Sequence, residues 1–419
     1  MNDFRVAGVE AERGRWLYVL VGFLMNVCLG AVYAYSVFRQ PLQNLWGINA
    51  TQVGLPFMVF LAMFAVAMAF AGSLIEKWGP RKTSLLGGAL VGAGWILSGF
   101  SPNVWLLTAL YGGIAGGGVG ILYGCPIAVS AKWFPDRKGL AVGLTVMGFG
   151  ISALLMAPVI GALIPDPVNA PGQALFAFKV LGIVFFVLLF LLALPLRFPP
   201  QGWLPRGCEP GKGKAPIRVG ADLDRRQMLR TGLFYALWVC FTIGCLAGLM
   251  AIGIAKPFGT EVARLQGTLA TVSVSIFAVF NGLGRPLFGW LTDRLTPRYA
   301  ATLSFILILT AAALLYFLGE GSAPIYLVAF SLLWMNLGGW LAIAPTATAT
   351  FFGTKHYAKN YGIVFSSYGL GAILGTLLSG QIKDLTGSYL TVFVPVMGLA
   401  GLGLIVSLLG LKPPRARAS

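Results

Sequence analysis

Arg285 is the residue of this sequence whose surroundings most need a chemical explanation. It lies inside a long apolar stretch, near 264–292, and no other Lys or Arg lies within such a stretch and away from its ends. A cation in the hydrocarbon of a bilayer costs roughly 3 kcal/mol or more unless it faces a partner or water. All 13 Asp and Glu fall in tails, loops or ends of apolar stretches. We therefore expect Arg285 to hold a carboxylate of a small anion by bidentate hydrogen bonds; the alternative is a structural arginine that caps backbone carbonyls of a neighbouring helix.

A four-residue spacing predicts further side chains on the helix face of Arg285. Ser273, Phe277 and Asn281 precede it at steps of four, and this spacing places residues on one side of an α-helix. Asn281 could donate a hydrogen bond to the second carboxylate oxygen or to a 2-hydroxyl group, or it could orient Arg285.

Aromatic side chains in other apolar stretches are the expected lining of the same site. Tyr and Trp offer an apolar face for a methyl group and a hydroxyl or N–H group for oxygen atoms. Helix packing is the alternative explanation for each of them. The candidates are Tyr33, Tyr123, Trp340, Tyr361, Phe365 and Tyr368.

Catalytic and metal-binding patterns are not found in the sequence. The one histidine, His356, lies in a short loop, and the five cysteines do not form a metal-binding or disulfide pattern. Neither an H-E-x-x-H motif nor a paired catalytic acid occurs. The glycine-rich run at 112–120 lies within an apolar stretch, so it indicates close helix packing and not a dinucleotide loop. We expect no metal, no cofactor and no enzymatic activity.

Twelve apolar runs must position these residues. The chain has 419 residues, of which 57% are hydrophobic and only 10% are charged, and a helix needs about 20 apolar residues to cross a bilayer. The sequence predicts an all-α membrane protein with spans near 16–39, 51–75, 83–101, 104–130, 139–164, 174–196, 229–256, 264–292, 299–318, 324–351, 360–384 and 388–411.

The net charge of +17 predicts membrane orientation and not nucleic-acid binding. With the N-terminus placed in the cytoplasm, 24 of the 30 Lys and Arg fall in cytoplasmic segments, as the positive-inside rule requires. Both termini are then cytoplasmic, and the first residues do not read as a removable signal peptide. The basic residues on the external side are Arg39, Lys179, Lys256, Arg264 and Lys383.

The chain divides into two similar halves. A Pro-, Gly- and Lys-rich interruption between spans six and seven predicts a six-helix bundle at 1–196, a cytoplasmic linker at 197–228 and a second bundle at 229–419. The turn after span two, 72–82, matches the turn after span eight, 289–299, at a constant offset of 217 residues, which pairs Glu76 with Asp293 and Arg81 with Arg298. Two parallel repeats around a central site are a known plan for carriers.

The repeated turn resembles the signature of the major facilitator superfamily, and the resemblance extends over essentially the whole chain. It implies two six-helix bundles and a cytoplasmic clamp of acidic and basic residues that holds the helix ends together in the outward-open state. Topogenic charge in an ordinary turn is the alternative. The residues concerned are Gly72, Glu76, Arg81, Lys82, Asp293, Arg294 and Arg298.

The segment WFPDRKGLAVG, 133–143, is similar to span five of monocarboxylate transporters and of oxalate–formate antiporters. In both families an arginine matches Arg285. Mammalian-type monocarboxylate transporters have an aspartate where this chain has Asn281, and the antiporters have a second cation, a lysine, where it has Tyr368. A single cation suits a monoanion, because a dianion would keep one charge unpaired at low dielectric.

These resemblances imply a secondary transporter of a small monocarboxylate, such as L-lactate or pyruvate, in a bacterial inner membrane. We expect proton symport by alternating access. The proton could reside on the substrate itself, on a tyrosine–water network or on a rim acid such as Asp384. Exchange of organic anions is the alternative, and an anion sensor that does not transport is an alternative of another class.

Overall fold

The computed structural model describes residues 5–6, 8–200, 203–205, 222–353 and 355–412. Within this part of the chain the backbone is almost entirely helical. The only strands described, Arg5–Val6 and Val9–Glu10, form one short antiparallel pair before the first helix.

Ten helical segments of the described chain are long and apolar enough to cross a membrane. Two of them, Ala50–Ser98 and Gly267–Leu318, each contain one residue with positive φ that divides it into two spans. The prediction of twelve spans is therefore confirmed. We number them α1 Ala11–Ala34, α2 50–78, α3 80–98, α4 Val104–Trp133, α5 Leu140–Leu163, α6 Gln173–Ala193, α7 Gly232–Glu261, α8 267–295, α9 297–318, α10 Ala323–Phe352, α11 Lys359–Thr386 and α12 Leu390–Gly410.

Two shorter helices flank these spans. Ser36–Trp46 continues α1 after a single turn residue, and Arg225–Leu229 precedes α7. The predicted linker at 197–228 falls between α6 and α7, but residues 206–221 lie outside the described part of the chain, so its bounds stay a prediction.

The repeat seen in the sequence extends to the backbone. The two dividing residues, Gly79 with φ 78° and Thr296 with φ 74°, are 217 residues apart and occupy equivalent positions in the two halves. Each precedes a proline, Pro80 or Pro297, whose fixed φ suits the first position of a helix. Glycine adopts positive φ at no steric cost, whereas a β-branched threonine does not.

Small residues let α4 pack closely against its neighbours. A Cβ atom added to Gly116 would lie 2.5 Å from the carbonyl oxygen of Phe60, and one added to Gly118 would lie 2.8 Å from that of Gly87. Backbone therefore meets backbone at these positions, and the glycine run serves close helix packing as predicted.

The two halves meet along two helix pairs, α5 with α8 and α2 with α11. We call the end of the bundle that holds the turns at 79 and 296 the linker end, and the opposite end, which holds 47–50 and 384–390, the far end. At the far end Gly54 packs against Thr376, and Gly380 packs against Thr51.

Candidate functional site

Arg285 lies at the interface of the two halves. Its side chain is 6% exposed, and its Nη1 donates a hydrogen bond of 2.6 Å to the carbonyl oxygen of Val146 in α5. Its Nε and Nη2 form no well-aligned hydrogen bond with a described residue, although the Tyr123 hydroxyl is close enough to interact with the guanidinium. No carboxylate among the described residues forms an ion pair with it. One nitrogen thus caps a backbone carbonyl, while two remain able to bind a carboxylate.

Asn281 lies one helical turn from Arg285 and is fully buried. Its Nδ2 donates to the carbonyl oxygen of Trp334 at 2.9 Å, while its Oδ1 has no partner among the described residues. Both side chains face Gly150: a Cβ atom there would lie 2.9 Å from Asn281 Oδ1 and 3.2 Å from Arg285 Nε. Glycine at position 150 therefore leaves room beside the polar atoms of α8.

A pair of tyrosines joins the halves beside this arginine. The hydroxyl groups of Tyr33 in α1 and Tyr368 in α11 are 3.0 Å apart, and both side chains are buried. The hydroxyl groups of Tyr33, Tyr123 and Tyr361 are all within electrostatic range of Arg285. The structure therefore brings tyrosines of α1, α4 and α11 close to Arg285, and their role in binding stays a prediction.

Phenylalanines enclose the tyrosine group. Phe365 stacks on Tyr368 with ring centroids 5.0 Å apart. Phe64 of α2 contacts Tyr368 at 5.6 Å and Tyr123 at 5.2 Å, and Phe149 of α5 contacts Tyr33 at 5.0 Å. The result is one cation with tyrosine hydroxyls and aromatic faces around it. Such a site can bind a small carboxylate that has an apolar body.

Phe277 lies one layer behind the site. Its ring contacts are with Tyr326, Phe330 and Trp334, all in α10. The reason is geometric: with about 3.6 residues per turn, each step of four rotates the side chain by about 40°. Over two steps this rotation turns Phe277 towards α10 and away from Arg285.

Trp340 packs within the second half. Its ring lies between Phe241 of α7, at 6.0 Å, and Phe305 of α9, at 5.4 Å. The indole ring covers Gly244, where an added Cβ atom would lie 2.1 Å from Nε1. The structure thus brings Trp340 against α7 and α9 and not against Arg285, so a role in binding stays a prediction.

Three residues of the site were not predicted from the sequence: Phe64, Phe149 and Trp334. Phe149 lies between Gly148 and Gly150, and two glycines that flank an aromatic residue in a span are a signal that could have indicated it. Trp334, which contacts the Tyr33 ring at 6.4 Å, is one of many aromatic residues in apolar spans, and its sequence position does not distinguish it.

The predicted clamp residues lie at the linker end. Glu76, Arg81, Lys82, Asp293 and Arg294 are exposed, and neither acid forms an ion pair with a described residue. The Arg294 guanidinium lies 4.9 Å from the Trp290 ring instead. Arg298 contacts Tyr299 and its Nε has no partner, while Gly72 has open space around it. The clamp is therefore not engaged among the described residues.

The far end, by contrast, is closed by contacts between the halves. The Asp384 carboxylate in α11 accepts hydrogen bonds from the backbone N–H groups of Ala50 and Thr51, at 2.9 and 3.0 Å, and from the Thr51 hydroxyl at 2.5 Å. An acceptor at this place also complements the positive end of the α2 dipole. The neighbouring Lys383 pairs with Glu261 of α7. The hydrogen bonds to Asp384 thus hold the first residues of α2 against the second half.

Comparison with known proteins agrees with this architecture. A sequence model of the Major Facilitator Superfamily matches residues 16–358 and 247–419. The oxalate:formate antiporter of Oxalobacter formigenes is 32% identical over 374 residues, 88% of this chain and 85% of that protein. Monocarboxylate transporter 13 of Bos taurus is 27% identical and covers 94% and 89% of the two chains.

A solved structure supports the fold independently. The nucleoside transporter NupG superposes with a TM-score of 0.70 at 13% identity, over 95% of this chain and all of the other. The chain is a multi-pass membrane transporter and not an enzyme, and it belongs to the major facilitator superfamily.

Proposed function

We propose that this protein is a secondary active transporter that carries a small monocarboxylate, such as L-lactate or pyruvate, together with a proton by alternating access. Arg285 is the observation on which the proposal rests. Two of its three guanidinium nitrogens have no well-aligned hydrogen-bond partner among the described residues and no counter-ion, although the residue is only 6% exposed. A buried cation of this kind is stabilised when a carboxylate accepts hydrogen bonds from both nitrogens.

The rest of the site favours a monoanion with an apolar body. Tyr368, which takes the place of a second cation, uses its hydroxyl group on Tyr33, so Arg285 alone would neutralise the substrate. The rings of Phe64, Phe149 and Phe365 offer surface for a methyl group. Asn281 Oδ1, which has no partner among the described residues, would accept a hydrogen bond from a 2-hydroxyl group.

Alternating access follows from the asymmetry of the two ends. With the far end closed by Asp384 and the clamp acids forming no ion pair with a described residue, a site at Arg285 would communicate with the linker end. In the opposite state the clamp of Glu76, Arg81, Lys82, Asp293, Arg294 and Arg298 would close, and the contacts of Asp384 would break. By the distribution of Lys and Arg we assign the linker end and both termini to the cytoplasm.

Asp384 is the proton site that we propose. Its carboxylate accepts three hydrogen bonds from Ala50 and Thr51 across the halves. Protonation would remove the charge that strengthens these bonds and would convert one acceptor oxygen into a donor. A proton on Asp384 would therefore loosen the far end and couple proton entry to opening. Asn281, in contrast, cannot carry a proton.

Anion exchange is the second candidate, and one observation favours it. No Asp, Glu or His among the described residues is a partner of Arg285, so an empty carrier would expose an unpaired cation during reorientation. That step would be slow, and a returning anion would accelerate it. One relative, which is 32% identical to this chain, is named an oxalate:formate antiporter, and that name describes an exchange of anions.

Uptake of labelled L-lactate into proteoliposomes tests the proposal. We expect accumulation that needs an inward proton gradient and is abolished by a protonophore, and an Asp384→Asn variant whose uptake no longer responds to the gradient. Uptake only into vesicles preloaded with an anion would establish exchange instead. No uptake of L-lactate or pyruvate under either condition would contradict a monocarboxylate substrate.

A further inference from the structure

A second arginine, Arg39, is buried between the halves near the far end. The sequence places it at the end of span one, but the helix continues through Ser36–Trp46 and the Arg39 side chain is 1% exposed. It forms no ion pair with any described residue. A buried cation without a counter-ion is costly, and its position between the two halves points to a function.

Only one nitrogen of this guanidinium is used. Nη2 donates to the carbonyl oxygen of Ala50 at 2.8 Å and to the Tyr389 hydroxyl at 3.2 Å. Nε and Nη1 have no hydrogen bond in the described chain. Ala50 belongs to the first half and Tyr389 to the second, so Arg39 lies where the halves separate when the far end opens.

A polar side chain of the second half faces the same space. Thr376 of α11 is buried, and its hydroxyl also has no hydrogen-bond partner among the described residues. Gly54 lies between the two groups: a Cβ atom there would be 2.8 Å from Thr376 Cγ2 and 3.5 Å from Arg39 Nη1. Glycine at position 54 thus lets Thr376, through its methyl group, and Arg39 approach each other from opposite halves.

The surroundings of Arg39 and the central site lie along the same helices. Arg39 follows Tyr33 by six residues, about 9 Å along the chain at 1.5 Å per residue. On α11, Thr376 packs against Gly54 and Tyr368 contacts Phe64, so both side chains face α2. The side of α11 that carries Tyr368 beside Arg285 therefore continues to Thr376 beside Arg39.

We propose that Arg39, with Thr376, forms a second carboxylate site at the far end, which the anion occupies before it reaches Arg285. When the far end opens, the contacts of Arg39 with Tyr389 break and the guanidinium is free for bidentate binding of a carboxylate. When the far end closes, the Tyr389 hydroxyl again accepts a hydrogen bond from Nη2, and the anion moves inward to Arg285. The inference deepens the proposed function and rests on it.

Sided kinetics of an Arg39→Gln variant test the proposal. We expect the KM for L-lactate presented to the far-end face to rise about tenfold, as for the loss of one charge-assisted hydrogen-bond pair. The KM at the linker-end face should stay within about twofold of wild type, and Arg39→Lys should be intermediate. Arg264→Gln is the matched control, since Arg264 is a cation at the same end whose side chain is 72% exposed, and we expect its KM to be unchanged at both faces.

A purely structural Arg39 would give a different result. A lower maximal rate in both directions with unchanged KM values, or equal KM changes at the two faces, would overturn the proposal. A wild type that transports none of L-lactate, pyruvate, formate and oxalate would contradict the proposed function and not the Arg39 site.

Chemical protection tests the Arg39 site without transport. In the Arg285→Gln variant, L-lactate should slow the modification of Arg39 by phenylglyoxal, measured by mass spectrometry of its peptide. The modification of the exposed Arg264 should not change. Equal modification of Arg39 with and without anion would overturn the proposal even if Arg39→Gln fails to fold.

Discussion

The hydroxyl groups of Tyr33 and Tyr368 form one hydrogen bond across the interface of the two halves, with their oxygen atoms 3.0 Å apart. Tyr33 belongs to α1 and Tyr368 to α11, so any rocking of the halves changes this distance. The bond is buried beside Arg285, where a substrate carboxylate would compete for the same hydroxyl groups. On the proposed function, this contact would couple occupancy of the site to the relative position of the halves.

A double-mutant cycle tests whether the Tyr33 and Tyr368 hydroxyl groups act together. In Tyr33→Phe or Tyr368→Phe the remaining hydroxyl loses its partner, a cost of about 1–3 kcal/mol. We expect each single variant to lower kcat/KM for L-lactate about five- to tenfold, and the double variant to be no worse than the poorer single, since coupled groups are not additive. Tyr111→Phe is the control, because that buried hydroxyl already has no partner among the described residues, and it should be near wild type. Additive losses would show that the two hydroxyls act independently.

Gly150 should tolerate no side chain. In Gly150→Ala the new methyl group would lie 2.9 Å from Asn281 Oδ1 and 3.0 Å from the Gly282 backbone, so α5 and α8 must move apart or the polar atoms must shift. We expect L-lactate uptake to fall at least tenfold while the variant remains folded by gel filtration in detergent.

Gly143→Ala is the matched control on the same helix, since nothing lies within 4 Å of an added Cβ atom there. Its uptake should equal that of wild type. Equal uptake by both variants would remove the argument that Gly150 keeps space for the site.

Tyr368→Lys should change the charge of the preferred anion. A second cation beside Arg285 would balance a dianion, which the wild-type site leaves with one unpaired charge. We expect oxalate to become a better competitor of L-lactate uptake by about tenfold or more, with lower uptake of L-lactate itself. A competition profile identical to that of wild type would contradict the charge argument for a monocarboxylate.

Arg15 and Asp136 supply a pH-dependent part of the stability of the first half. Burial disfavours the ionised Asp136 carboxylate, but two hydrogen bonds from Arg15, at 2.6 and 2.8 Å, and its charge outweigh that effect and lower the pKa of Asp136 below its ordinary 3.8. A lowered pKa means that the contribution is present above the ordinary pKa and is lost as pH falls through the lowered one.

Thermal melting in detergent checks this contribution. Asp136→Asn should destabilise the protein by about 1–3 kcal/mol at neutral pH. The difference from wild type should be constant between about pH 5 and 8 and should shrink below about pH 4. Glu320→Gln serves as the control, because the Glu320 and Arg264 side chains are 69% and 72% exposed, and exposed pairs contribute little. A difference that does not depend on pH would show that Asp136 acts by packing alone.

Hydropathy and charge are sufficient to predict which segments of the sequence form the membrane spans. Each span must satisfy its backbone inside itself and present apolar side chains to lipid, so the twelve runs were visible without tertiary information. Arg285 was identifiable for a related reason, since a cation within a span is costly wherever the helix is placed. The turns at Gly79 and Thr296 were predictable because one signature recurs in both halves.

The neighbours of each residue were not predictable in the same way. A spacing of four suggests that Phe277 shares a face with Arg285, but helix rotation turns it towards α10. Trp340 was expected at the site from a similar spacing, but it packs against α7 and α9. The burial of Arg39 depends on how α2 and α11 meet at Gly54, which is a property of the assembled halves. Periodicity identifies a helix face, and only tertiary packing decides what that face contacts.

Transport by an Arg285→Gln variant tests the central claim most directly. Glutamine keeps a polar side chain with an N–H donor at this position but removes the charge and the planar pair of donors that would hold a carboxylate. The measurement is initial uptake of labelled L-lactate into proteoliposomes that contain equal amounts of folded wild type or variant. The account predicts uptake at the level of empty vesicles for the variant, with its melting temperature close to that of wild type. Uptake by Arg285→Gln at the wild-type rate would contradict the assignment of the substrate site to Arg285.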